Sequence, residues 1–210
     1  QDYHGVVRCA LGWACWKTYV GRPETDPARL MAMPQLGAGL HEVGRHEEEL
    51  SVREADLATM RRLGAPEANL LCAQGNLANT YDMLGRVEEA LNLYRDVYSG
   101  ELILYGMAHE QTMISASNYV DSLLQLDRFE EAKSLLCKVR PVARRVLGES
   151  HRLTLRLRCN YASSLYLDSG ATLDDLREAV TTLEEIEPIA RRVFGGAHPM
   201  TRGIEENLHV

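Results

Sequence analysis

The hexapeptide Gly-Arg-Val-Glu-Glu-Ala, Gly85 to Ala90, returns as Asp-Arg-Phe-Glu-Glu-Ala, Asp127 to Ala132, with its flanks in the same register. Asn76, Asn118 and Asn160 stand 42 residues apart, and Gly64, Gly106 and Gly148 keep the same step just upstream. A repeat of this length is the mark of stacked helical hairpins, because one hairpin cannot bury its own apolar face and needs a neighbour. Stacking produces an extended, curved surface instead of a closed pocket, and such surfaces usually take other polypeptides.

Composition agrees. Hydrophobic residues make up 45% of the 210 residues but aromatic ones only 6%. That balance suits helix-on-helix packing by Leu, Ala and Val. No linker rich in Pro, Gly and Ser divides the chain, which predicts one continuous array. The formal charge of −7, with Lys and Arg interspersed among acids, excludes the basic stripe that phosphate neutralisation needs, and with it nucleic acid as a partner. No stretch approaches the ~18 apolar residues of a membrane span; Val6 to Trp16 is short and contains Arg8. The five cysteines, Cys9, Cys15, Cys72, Cys137 and Cys159, are odd in number and lack a C-x-x-C pair, so reduced thiols are expected. This places the chain in the cytoplasm, with a plastid or mitochondrial interior equally compatible with the thiols. A start at Gln1 in place of Met is read as a processed or partial product.

Aligning on the repeated Asn and Gly gives units at about 27–64, 65–106, 107–148 and 149–195 within an array spanning 22–196, a lone N-terminal helix in 1–21, and in 197–210 a fifth unit's start or a capping helix. The last full step is longer, and its extra residues, Asp168 to Thr172, fall between the two helices, where Thr172 to Asp175 reads as a capping box. Leu70, Ala73, Leu77, Tyr81 and Leu84 form a helical core stripe. Cys72, Asn76, Asn79 and Met83 form a second, narrow stripe on the opposite face. Pro141 and Pro188 predict bends in the second helices of the last two units.

The run Asn-Leu-Ala-x-x-Tyr-x-x-Leu-Gly-Arg-x-Glu-Glu-Ala-Leu-x-Leu-Tyr, Asn76 to Tyr94, and the linker Gly-x-x-His-Pro-x-Thr, Gly195 to Thr201, resemble the tetratricopeptide repeat. The 42-residue spacing resembles the kinesin light chain type. The resemblance implies an all-α, right-handed superhelix of about four hairpins with partial units at both ends. It also implies a protein-interaction adaptor without catalysis or cofactor, whose first helices line a concave groove for a peptide, an Asn in each bonding the peptide backbone. The matching positions are Asn76, Asn118, Asn160 and Asn207, with Gln35 in the first unit. The groove stripes become Met31, Gln35, Ala38 and Glu42; Cys72, Asn76, Asn79 and Met83; Ile114, Asn118, Asp121 and Gln125; and Arg156, Asn160, Ser163 and Leu167. An amide suits the task because one donor and one acceptor pair with both backbone groups of a ligand residue. The alternative is that each Asn fastens its own helix to the next hairpin. Too few basic residues line the stripes for a carboxylate clamp, and Glu42, Asp82 and Asp121 lean the preference toward neutral or basic ligands.

Two departures mark the first unit: Glu49 stands where Ala90, Ala132 and Ala179 stand, and Pro34 lies inside the expected first helix, which predicts distortion there. His41 and His46 are five apart across a turn, unlike the one-face H-E-x-x-H of zinc proteases, so no metal is assigned. His109, His151 and His198 recur by unit, as helix caps. Trp13, Trp16 and Tyr19 share a face of the N-terminal helix, which either caps the first unit or docks the array into a larger complex as a fixed subunit. A third reading is a regulatory helical domain of a longer enzyme.

Overall fold

The computed structural model describes the backbone of residues 3–208 and the side chains of residues 5–208; residues 1–2 and 209–210 of the two terminal segments lie outside it. All regular structure in the described residues is α-helical: ten helices packed as successive hairpins, a tetratricopeptide-like solenoid. They group into two compact units, 1–97 and 98–210.

The N-terminal unit holds α1 (Tyr3–Tyr19), α2 (Pro27–Glu42), α3 (His46–Arg62), α4 (Glu67–Met83) and the first half of α5 (Val87–Tyr105). Helix α2 starts where it does because Asp26 accepts from the backbone N–H of Ala28 at 2.8 Å and Pro27 supplies a preset φ at the first helical position. Its core stripe is as the periodicity requires: Ala73 and Leu77 of α4 pack with Leu50 and Leu57 of α3, flanked by Leu70, Tyr81 and Leu84. Each fully buried Leu contributes about 1.5–3 kcal/mol.

Helix α1 lies antiparallel on α2 in near backbone contact. Gly5 faces Glu42, Gly39 faces Cys9 and Gly12 faces Leu36; a Cβ at Gly39 would stand 2.6 Å from the Cys9 Cα, and one at Gly12 2.8 Å from the Leu36 Cα. The absence of side chains at these three positions is what lets the helices meet. Trp13 and Trp16 then pack, with Val43 and Val52, against the buried cluster of Cys9, Leu36 and Leu40. The first unit is not broken by its proline: α2 continues as helix through Pro34 to Glu42.

The C-terminal unit holds the rest of α5 with α6 (Glu110–Gln125), α7 (Phe129–Leu147), α8 (Arg152–Tyr166), α9 (Leu173–Phe194) and α10 (Pro199–Leu208). Met113, Ala116, Val120, Leu136, Val139, Ala143, Leu155, Leu157 and Ile186 are fully enclosed. His109, His151 and His198 each accept through Nδ1 from the backbone N–H two residues on, at 3.2–3.3 Å, so all three cap the helices that follow them. Three residues after each, a threonine is buried; Thr112 and Thr154 donate to the carbonyls of Glu101 and Ala143 in the preceding helix. The Thr172 to Asp175 capping box opens α9. Both α7 and α9 carry on beyond Pro141 and Pro188 to Leu147 and Phe194. Each proline is exposed, as are Cys137 and Glu184 four residues before, whose carbonyls the prolines leave without a helical donor.

Candidate functional site

The stripes read from the sequence lie on the first helices of the hairpins and outside the core: none of their sixteen residues is fully buried, and Met31, Met83 and Leu167 are among the most exposed apolar side chains. What their polar groups do differs by unit.

In the N-terminal unit, Asn79 accepts from the Tyr94 hydroxyl, which ties α4 to α5. Among the described residues Asn76 has only the weak acceptor Cys72 Sγ at 4.0 Å, one turn back on its own helix. Glu42 is paired with Arg8 of α1. Met31 and Gln35 border a mostly apolar cleft of about 530 Å³ whose other walls include Pro34, Met60, Leu63 and Pro66.

In the C-terminal unit the stripes of α6 and α8 converge. Asp121 accepts from Asn160 Nδ2 at 2.6 Å and from the Arg156 guanidinium, so one carboxylate gathers both side chains of the facing helix. Ser163 continues the α8 stripe, half-buried, and Gln125 ends the α6 stripe in solvent. One turn before Asp121, Asn118 is half-buried and its carboxamide makes no side-chain hydrogen bond among the described residues. The acids that lean toward a basic ligand in the sequence are therefore compensated at Glu42 and Asp121, and the C-terminal stripe is close to neutral. Burial, with a smaller push from Asp121, raises the Cys159 thiol to about 11, so it stays protonated and is no nucleophile at neutral pH.

A second concavity of this unit, about 590 Å³, lies among Arg140, Arg144, Arg145, Arg158, Glu149 and Glu185. Buried Arg158 pairs with Glu149 at 3.2 Å and with Glu185, and Arg140 stacks over the Tyr161 ring at 3.7 Å. The paired arginines near the end of α7 signal this cluster in the sequence; nothing there signals which acids it meets.

Trp13 and Trp16 are half-buried on the α1–α2 seam, and Tyr19 carries the Arg22 guanidinium over its ring at 4.8 Å. The outward apolar residues of α1 are others: Val6, Val7 and Leu11, at 59%, 56% and 61% exposure. The structure also joins what the sequence keeps apart: His41 and His46, on the two arms of one turn, both reach Glu49.

Comparison with known proteins completes the picture. Residues 71–100 match the model of the tetratricopeptide repeat. No curated protein sequence matches the chain. Among solved structures, nearly identical TPR-like repeats of kinesin light chain type from Podosopora anserina superpose with a TM-score of 0.75 at 20% identity, covering 91% of this chain and 89% of that one. BtubC (BKLC) from P. vanneervenii gives 0.76 at 17% identity over 99% and 82%. A Rap protein complexed with competence and sporulation factor gives 0.60 at 14% identity over 96% and 56%. The fold is one generally used for protein–protein interaction and is typically non-catalytic. No described helix is long and apolar enough to cross a membrane.

Proposed function

We propose that this tetratricopeptide-repeat protein, structurally similar to kinesin light chain-like repeats, is an adaptor whose C-terminal unit holds a peptide segment of a partner protein along α6 and α8. The observation that carries the reading is the Asn118 carboxamide: half-buried, without a side-chain partner in its own unit, and one turn from an Asp121 that Arg156 and Asn160 hold in place. The amide atoms are not enclosed, so they stand open to a ligand, and an extended peptide backbone supplies one donor and one acceptor to them. Asn160 keeps its carbonyl oxygen for the same ligand, since Asp121 uses only its NH₂ group. Because the neighbouring charges cancel, selectivity comes from apolar contacts at Ile114 and Leu167 more than from ligand charge. The complex of a similarly folded Rap protein with competence and sporulation factor supports the reading at the level of fold. The five free thiols support a reducing compartment, the cytoplasm, as its place.

The test is selection of binding peptides from a displayed library on the full chain, followed by affinity and melting measurements on Asn118→Leu. Loss of about 1–3 kcal/mol of binding with an unchanged Tm is the expected result. Unchanged affinity with a lowered Tm assigns Asn118 to the scaffold instead.

One observation favours a second reading, a fixed subunit of a large complex: the outward Val6, Val7 and Leu11 of α1. Replacing all three by Gln leaves an adaptor's binding intact and abolishes assembly of a fixed subunit.

A further inference from the structure

We propose that the turn joining α2 to α3 is a binding site for a divalent transition metal of the zinc type, held by His41 Nδ1, His46 Nδ1 and Glu49 Oε2. Both imidazole nitrogens lie 3.1 Å from that one carboxylate oxygen, and the three ligand atoms all fall within 4.8 Å of one another. Tetrahedral zinc, with bonds of about 2.0–2.1 Å, requires ligand atoms roughly 3.3 Å apart. The two N···O edges already meet that spacing. The N···N edge closes by rotation of His41, whose side chain is 43% exposed and meets the His46 ring edge-on at 5.5 Å.

The repeat supplies a second, independent observation. At the position of Glu49 the other units carry Ala90, Ala132 and Ala179, each essentially fully buried. At the position of His46 they carry Val87, Phe129 and Leu176. The fold therefore asks for small and apolar groups here, yet this one turn replaces them with a carboxylate that is 1% exposed and an imidazole aimed at it. Arg53 is the supporting group. Its guanidinium sits in the space that Gly37 leaves open, a Cβ there being 2.9 Å from Cζ, and donates to the other oxygen, Oε1, at 3.4 Å. That contact orients the carboxylate and leaves Oε2 to the histidines, as outer partners do in metal sites. The ring nitrogens and single carboxylate select zinc-type ions over magnesium and calcium, which take oxygen ligands. On binding, each neutral imidazole carries its proton on Nε2, and water fills the fourth position on the exposed side of His41. The bound ion would staple α2 to α3 across Gly44.

The experiment uses the purified full chain with Zn²⁺, Mg²⁺ and Co²⁺. The site requires a rise in Tm with Zn²⁺ and not with Mg²⁺, tetrahedral d–d absorption with Co²⁺ free of thiolate charge transfer, and loss of both in His41→Ala/His46→Ala. Should that double variant fail to fold, the exposed single change His41→Asn must weaken Zn²⁺ binding at least tenfold. Absence of the Tm shift, its survival in either variant, or a thiolate charge-transfer band pointing to the exposed Cys15, Cys72 or Cys137 overturns the proposal.

Discussion

The first hairpin and the third occupy the same place in the repeat and fill it with opposite chemistry. At Ala132 the turn between α6 and α7 buries a methyl group; at Glu49 the turn between α2 and α3 buries a carboxylate, compensated by His41, His46 and Arg53. The backbone frame tolerates either, provided that the charge brings its partners with it. Ala132→Glu breaks the comparison most severely. Glutamate at that fully enclosed position has no Arg53 or imidazole beside it, so the unfolding free energy should fall by about 3–5 kcal/mol in denaturant titration. A loss below 1 kcal/mol would mean that the partners at Glu49 are ornamental.

Next in size is the seam between α1 and α2. Gly39→Ala places a methyl against the Cys9 backbone, which cannot rotate away, and should cost about 3 kcal/mol and detach α1, read as deprotected amides over Gly5–Tyr19 in hydrogen exchange. At Gly106, Gly148, Gly170, Gly195, Gly196 and Gly203 of the C-terminal unit a Cβ would meet nothing closer than 3.4 Å.

Buried charge in the first unit has a further, pH-dependent consequence. Burial pushes the Asp56 carboxyl from its ordinary 3.8 up to about 6, Arg53 opposing, and its Oδ1 has no hydrogen-bond partner. A folded-state pKa raised above the unfolded one means that the folded form holds the proton more tightly. Stability from this group is thus full below about 3.8 and is lost as the pH rises through about 6. Asp56→Asn should remove that slope and stabilise the protein at pH 7 by about 2–3 kcal/mol, measured as chemical denaturation across that pH window. An unchanged slope would locate the pH dependence elsewhere.

Much of this was legible in the sequence, and the reason is the repeat. A step of 42 constrains helix count, hairpin order and core stripe together, so the tetratricopeptide-like fold follows without any one residue being decisive. Caps were legible for the same reason: His109, His151 and His198 recur where orphan amides must be satisfied. The pairings of Asp121 with Arg156 and Asn160 were not, because side chains from two stripes meet at distances that no spacing within one helix encodes. The meeting of His41 and His46 at Glu49 was hidden for a related reason. Motif spacing tests one helical face, whereas here two arms of a turn converge, and the usable signal was Glu49 standing in an alanine position three residues after His46. Trp13 and Trp16 left α1 open between a cap on the first unit and a docking face, because Gly5, Gly12 and Gly39 decide which side of α1 is seated and glycines carry no hydrophobic signal.

The smallest effect separates close packing from mere glycine content. Gly203 lies within α10 of the C-terminal unit, its φ is not in the left-handed region, and a Cβ there would meet nothing within 4 Å. Alanine narrows the unfolded ensemble and favours helix without a clash, so Gly203→Ala should raise stability by about 0.5–1 kcal/mol. The same chemical change at Gly39 is predicted to have the opposite sign. If both substitutions destabilise, the glycines of this chain act through backbone conformation alone, and the intimate seating of α1 on α2 loses its physical basis; opposite signs in a pair of thermal melts would establish that contact with Cys9 is what glycine secures at the seam.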